Sequence, residues 1–348
     1  VNTTADFNTA VGRDALTSNT TGAENVAIGG NALDANTTAS FNVAIGTSAL
    51  GANTTGTNNV MVGTNAGDAI TTSNNNTGVG HDVLGANTSG DLNTAMGSTA
   101  LNTNTTGANN TGIGFAALTA NTTGSDNVAV GMNSLKANTT ASFNVAIGKN
   151  SMEANTEGAN NTAVGRESLA SNTTASNNTS IGYNSLLLNT TGAGNTALGS
   201  AALDANTTAD NNVGLGYAAL TSNTTGATNT SVGALSLQEN TTASNNTGVG
   251  YLSLGANTTG ADNVAIGSQA LAANTTASNN TAVGRVALAT NTTGSGNVAV
   301  GLSALRFNTT GGNLVAIGSS ALMANTTASN NTAVGAAALT ANTTGGEL

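Results

Sequence analysis

One triplet in this 348-residue sequence has a clear capacity for chemistry, and it returns throughout. Asn-Thr-Thr begins at Asn2, Asn19, Asn36 and Asn53 and continues to Asn342. Asn87 carries the variant Asn-Thr-Ser, and at Asn155 the third place is taken by Glu157. Each complete triplet is an Asn-x-Ser/Thr acceptor for an N-linked sugar. The candidate glycosylation residues are Asn19, Asn36, Asn53, Asn87, Asn104, Asn121, Asn138, Asn172, Asn189, Asn206, Asn223, Asn240, Asn257, Asn274, Asn291, Asn308, Asn325 and Asn342. Two other readings of the triplet stand beside this one. In the plainest, it is a turn whose Asn and Thr side chains bond the local backbone. In the third, the threonines form a ladder that orders water, as on an ice-binding solenoid. Adjacent threonines such as Thr20 and Thr21 would then point to opposite faces of an extended chain.

Other chemistry finds little material. His81 is the one histidine, and its surroundings in sequence are ordinary. Asp6, Asp91 and Asp210 share one phase of the pattern, and Asp126 and Asp262 another, so no paired-acid site recurs at a fixed spacing. No Gly-Gly-x-Gly-x-Asp calcium repeat and no phosphate loop occurs. With no cysteine there is no disulfide framework or thiolate metal site. Charged residues are 6% of the chain and the formal net charge is −10. A basic face for nucleic acid is therefore not expected. No apolar run is long enough for a membrane-spanning helix. Neither catalysis nor a cofactor is expected.

The triplets are positioned by a period. An Asn opens the phrase Asn-[Val/Thr]-Ala-[Val/Ile]-Gly at 8, 25, 42 and every 17 residues to 331, with Leu314 the single replacement. Twenty such registers follow one another without insertion or deletion. A short fixed period marks a solenoid, in which each coil buries its apolar side only by stacking. We number the coil from its opening Asn. Position 2 is β-branched, position 3 small, position 4 aliphatic and position 5 always Gly. Position 8 is small, position 9 is nearly always Leu, position 12 is the Asn of the triplet, and position 15 alternates between Gly and Ala over long stretches. Alternation places positions 2 and 4 on one strand face and position 3 on the other. The expected coil has a five-residue strand with positions 2 and 4 turned inward, a Gly corner, a shorter stretch around position 9 and a polar turn. A single helical turn around position 9 is the alternative. Position 3 then forms an outer face of Ala and Gly, including Ala129, Ala146 and Ala163, suited to close approach of another chain. The Asn rows at positions 1 and 12 are expected to bond up the stack as amide ladders.

Segments such as NVAIGGNALDA (25–35), NVAVGMNSLKA (127–137) and NVAIGSQALAA (263–273) resemble the head repeats of trimeric autotransporter adhesins, the YadA-like head. They are also similar to repeats in phage and virus tail fibres. The likeness covers all twenty repeats, although this coil is three residues longer at the Asn-Thr-Thr corner than the usual coil of that family. It implies a left-handed parallel β-roll, a homotrimer and an extracellular role on a cell or virion surface. Host-surface or glycan ligands would be the partners. The expected fold class is thus all-β, a parallel β-roll or β-solenoid formed by one array over 1–348. The array reads as a segment of a longer fibre. The expected function is that of a structural, adhesive fibre without catalysis. An ice-binding solenoid and a glycan-coated filament are the alternatives.

Overall fold

The computed structural model describes residues 4–347. It is an all-β solenoid without helix among the described residues. Twenty three-residue strands recur every 17 residues, from β1 (Thr9–Val11) and β2 (Val26–Ile28) to β20 (Thr332–Val334). The chain forms two compact units, one ending at Ser176 and the other beginning at Asn177. The first holds β1 to β10 (Thr162–Val164) and the second β11 (Thr179–Ile181) to β20. Within each unit, neighbouring strands pair in parallel with like positions opposite: Val26 faces Val43, Ala27 faces Ala44 and Ile28 faces Ile45. Position 9 lies in turn structure, so the helical alternative is not adopted.

The strand faces inward by its small residue. Ala27, Ala129, Ala146 and Ala163 are fully buried, while Ile28, Ile45 and Ile147 are exposed by 37–39%. This reverses the expectation that positions 2 and 4 fill the core and position 3 meets a partner. The reason is space. The interior of a coil already holds Leu at position 9 and the two asparagines at positions 1 and 12. Position 3 lies against the Leu of the preceding coil: a Cβ placed on Gly112 would stand 3.4 Å from Leu101 Cδ1. Only Ala, Gly or Ser is generally admitted there. Ala10, with no described Leu beneath it, is exposed, and so is Leu339, with no position 3 above it. Burial is therefore a property of stacked coils, as expected for a solenoid.

The corners rest on left-handed backbone. Position 5 shows why it is always Gly: Gly131 has φ +132°, and a Cβ there would come within 2.6 Å of the Gly148 carbonyl oxygen in the next coil. Positions 7, 9 and 17 also have positive φ throughout the described coils. Asn, Asp and Gly frequent positions 7 and 17, which suits that conformation. The leucines at position 9, such as Leu135 at φ +48°, do not fit this preference. From Leu33 to Leu322 these leucines are completely buried, which offsets the strain.

Candidate functional site

The Asn-Thr-Thr corner is built from the coil interior outward. The Asn at position 12 is buried: Asn19 is 2% exposed, and Asn36, Asn53, Asn87, Asn104, Asn121, Asn138, Asn172, Asn189, Asn206, Asn223, Asn240, Asn257, Asn274, Asn291, Asn308 and Asn325 are fully buried. Asn342 is half-buried, and Asn2 lies outside the described residues. The Asn121 amide shows the pattern. Its Nδ2 donates to Asn104 Oδ1 at 2.7 Å and to the Gly124 carbonyl at 2.9 Å, and its Oδ1 accepts from Asn138 Nδ2 at 2.9 Å. The amide nitrogen that would carry a sugar is thus enclosed and has both protons committed. A glycan on it would require the coil to open, so these asparagines form an internal amide ladder and not a row of surface acceptors. The expectation that the acceptors line a solvent-exposed corner is therefore not met at the buried asparagines.

The position 1 asparagines form a second ladder of different chemistry. Asn25 Oδ1 accepts the Asn42 backbone N–H at 2.9 Å, and Asn25 Nδ2 donates to the Ala39 carbonyl at 2.9 Å. Asn36 Nδ2 reaches the same carbonyl at 3.0 Å. Two buried amides of one coil thus clamp the carbonyl of position 15 and close the loop. Buried amides are retained only when bonded in this way. The clamp also explains why position 15 is small. A Cβ on Gly158 would stand 2.6 Å from Asn155 Oδ1 and 2.8 Å from Asn172 Nδ2, and closer still to the Ala175 carbonyl oxygen. Along the sequence, no two neighbouring coils both carry a side chain there: Gly124, Ala141, Gly158, Ala175, Gly192.

The two threonines of the corner divide as their adjacency predicts. Thr122 is half-buried and its hydroxyl donates to the Thr139 carbonyl of the next coil at 3.0 Å, whereas Thr123 is exposed. Position 16 supplies a capping row that sequence reasoning missed. Ser142 Oγ accepts the Ser125 N–H at 3.0 Å, and Asp91 and Asp210 fill the same role, accepting from the N–H groups of Asn74 and Ala193. The recurrence of Ser, Asp and Asn at that position was the available signal. Asp126 and Asp262 occupy the positive-φ position 17. His81 Nδ1 lies 3.1 Å from Asp82 Oδ2 on the surface. Asp68 is pushed above the ordinary carboxylate range, chiefly by burial and further by the nearby charge of Asp82. No cleft and no metal-ligating cluster is present among the described residues. Among the described residues, no helix is long and apolar enough to cross a membrane.

One coil departs from the pattern in several places at once. Ile70 replaces the Asn of position 12, and Asn53 Oδ1 beneath it is left buried without a donor. In the same coil Met61 replaces Ala at position 3 and Gly67 replaces Leu at position 9. A Cβ on Gly67 would lie 2.9 Å from Ile70 Cδ1 and 3.1 Å from Met61 Cγ, so these two side chains occupy the volume of the missing Leu. Ser73 at position 15 supplies an oxygen that accepts from Asn76 Nδ2 at 3.2 Å and Asn87 Nδ2 at 3.1 Å.

A scan against protein-family models gives no match, and a search of curated proteins gives none either.

Proposed function

We propose that this protein is a structural, adhesive fibre component of an extracellular surface, on a cell or a virion, without catalysis. In this reading it is similar in role to the YadA-like heads and tail fibres that its repeats resemble, and its copies associate side by side as a homotrimer. One observation supports it most. Ile28, Ile45, Val79, Met96 and Ile113 are exposed at position 4 of the first unit, beside β-branched residues at position 2. Neighbouring coils stand about 4.8 Å apart, so these side chains form a continuous apolar strip. Strips of this kind mark surfaces that a partner covers. The partner is a second and third copy, because each copy presents the same repeating strip.

Light scattering on the purified 33.4-kDa chain tests the reading. A trimeric mass is expected, and Ile45→Glu, Ile113→Glu and Ile147→Glu together should give folded single chains. A parent protein that is monomeric at high concentration refutes the assembly. The ice-binding alternative draws on the same face, which carries Thr77, Thr94 and Thr111 at position 2 in consecutive coils. Thermal hysteresis with ice shaping by the isolated chain would favour it, and their absence removes it.

A further inference from the structure

The strip of positions 2 and 4 has two edges. Position 17 stands at the corner that enters each strand, and position 6 just beyond the Gly corner that leaves it. Position 17 is left-handed throughout the described coils, and in the first unit Asn58, Asn75, Asn109 and Asn160 suit that conformation. Phe41, Leu92 and Phe143 do not suit it, yet they hold φ of +64°, +59° and +63°. The stack imposes this backbone: their N–H groups donate to the carbonyls of Ala23, Asn74 and Ser125 in the preceding coil at 3.1, 3.2 and 3.2 Å. The leucines at position 9 recover such strain by burial. These three side chains are instead exposed by 52%, 56% and 60%. In the second unit position 17 carries neither Phe nor Leu.

We infer that the two edges pair between copies, with the position 17 row of one chain seated against the position 6 row of the next at the same level. A level here is one strand with the two edge residues that bound it. The edges of the first unit are complementary level by level. Phe41 shares a level with Thr47, Leu92 with Ser98, and Asn109 with Phe115. A bulky apolar side chain on one edge thus has a short polar one on the other. At the two levels with a ring at position 17 and a long side chain at position 6, that side chain is a cation: Phe7 with Arg13 and Phe143 with Lys149. Lys149 is exposed and has no carboxylate partner among the described residues. A cation set over the face of a ring is a favourable contact. None of these pairs can form inside one chain, because the strand holds its two edges roughly 13 Å apart. Rotation about an axis parallel to the stacking direction brings the entering edge of each copy to the leaving edge of its neighbour, with no change of level. The occupant is therefore another copy of this chain. The inference rests on the proposed side-by-side assembly and adds which edges meet and at which level.

Cross-linking of the full chain tests it, since the sequence has no cysteine of its own. A disulfide needs Cα atoms within about 7 Å, so Leu92→Cys and Ser98→Cys in one chain can bond only to a neighbouring copy. The double variant is expected to give covalently linked trimers on mild oxidation, and each single variant none. Moving one partner by a coil, as Leu92→Cys with Phe115→Cys or Leu92→Cys with His81→Cys, should lower the yield at least tenfold. A trimer in which no pair links, or in which every pair links equally, overturns the edge pairing and leaves the assembly standing. A parent that is monomeric by light scattering overturns both. Linked species of another chain count keep the pairing and remove the trimer alone. Phe41→Asn, Leu92→Asn and Phe143→Asn together give a readout that a role within the coil would not. They should weaken association at least tenfold. In the Ile45→Glu, Ile113→Glu, Ile147→Glu chain, where no copy covers the edge, they should not lower the melting temperature. A lower melting temperature there would mean that the three side chains support their own coil, and it would overturn the inference.

Discussion

At position 15 a single methyl group decides whether two coils can close on each other. Gly158 lies between Ala141 and Ala175, and its missing Cβ leaves the room that the clamped carbonyl and the two ladder amides need. Gly158→Ala should lower stability by about 1–3 kcal/mol, the usual range for overpacking. Adding Ala175→Gly should restore part of the loss, because one of the two neighbouring coils then carries no side chain at that position. Thermal unfolding of the two single variants and the double variant checks this, and strict additivity would contradict the account. Asp68 supplies a test by pH. Its folded-state pKa is raised, so the folded state holds the proton more tightly than the unfolded chain does. Its contribution to stability therefore improves as pH falls through the range just above the ordinary carboxylate value. It worsens as pH rises through that range. Asp68→Asn should be more stable than the parent at neutral pH, and the difference should shrink on acidification. Urea midpoints measured from neutral to acidic pH would show it, and a difference that grows on acidification would contradict the assignment.

The element is one coil, and the coil beginning at Asn59 shows how its parts depend on one another. Gly67→Leu alone should be destabilising, because Met61 and Ile70 already fill the space. Ile70→Asn alone gives Asn53 Oδ1 a donor but empties a packed site, and truncation of a buried aliphatic costs about 2–5 kcal/mol. Met61→Ala, Gly67→Leu and Ile70→Asn together should be more stable than the sum of the three single changes predicts, read as coupling in thermal or urea unfolding. This interdependence also marks what the sequence reveals of the fold. The 17-residue period, the glycine corner and the amide ladders are legible, since each recurs at a fixed position. The direction of the strand is not. Alternation separates Ala129 from Val128 and Val130 but does not say which face is inside. That choice depends on how much volume Leu135 and the buried asparagines take up, a property of the closed coil. The corner misleads for a similar reason. Asn-Thr-Thr is polar in composition, yet a polar side chain can be interior when every proton has an acceptor in the coil itself or the adjacent one.

Across the whole molecule, inversion of the strand changes where charge can be tolerated. Ala129→Glu, Ala146→Glu and Ala163→Glu together would place three carboxylates in a dry interior with no cationic partner, a severe penalty for each. The first unit of that variant should lose its structure. Glutamates at Ile113 and Ile147 should leave it folded, since those side chains already reach solvent. Circular dichroism and protease sensitivity distinguish the two sets, and equal damage from both would contradict the observed faces. The same stacking sums small terms over many coils. Stability is then set by nearest-neighbour interfaces, and local opening should begin where an interface is weakest. Among the inner coils of its unit, the one whose ladder Ile70 interrupts is the first place where hydrogen exchange should report it.

The spacing of side chains at position 15 has a consequence for inheritance. Unequal exchange between misaligned copies in the gene adds or removes whole coils. A gain of one coil can set Ala beside Ala, which the clamp resists, whereas a gain of two preserves the order Gly, Ala, Gly, Ala. Growth by pairs is therefore the permitted step wherever Ala is present. Where single coils have been gained they should sit among glycines, as at Gly90, Gly107 and Gly124 and again at Gly294 and Gly311. The gene would then carry, in its runs of paired and unpaired copies, a record of which exchanges the closed coil allowed to survive.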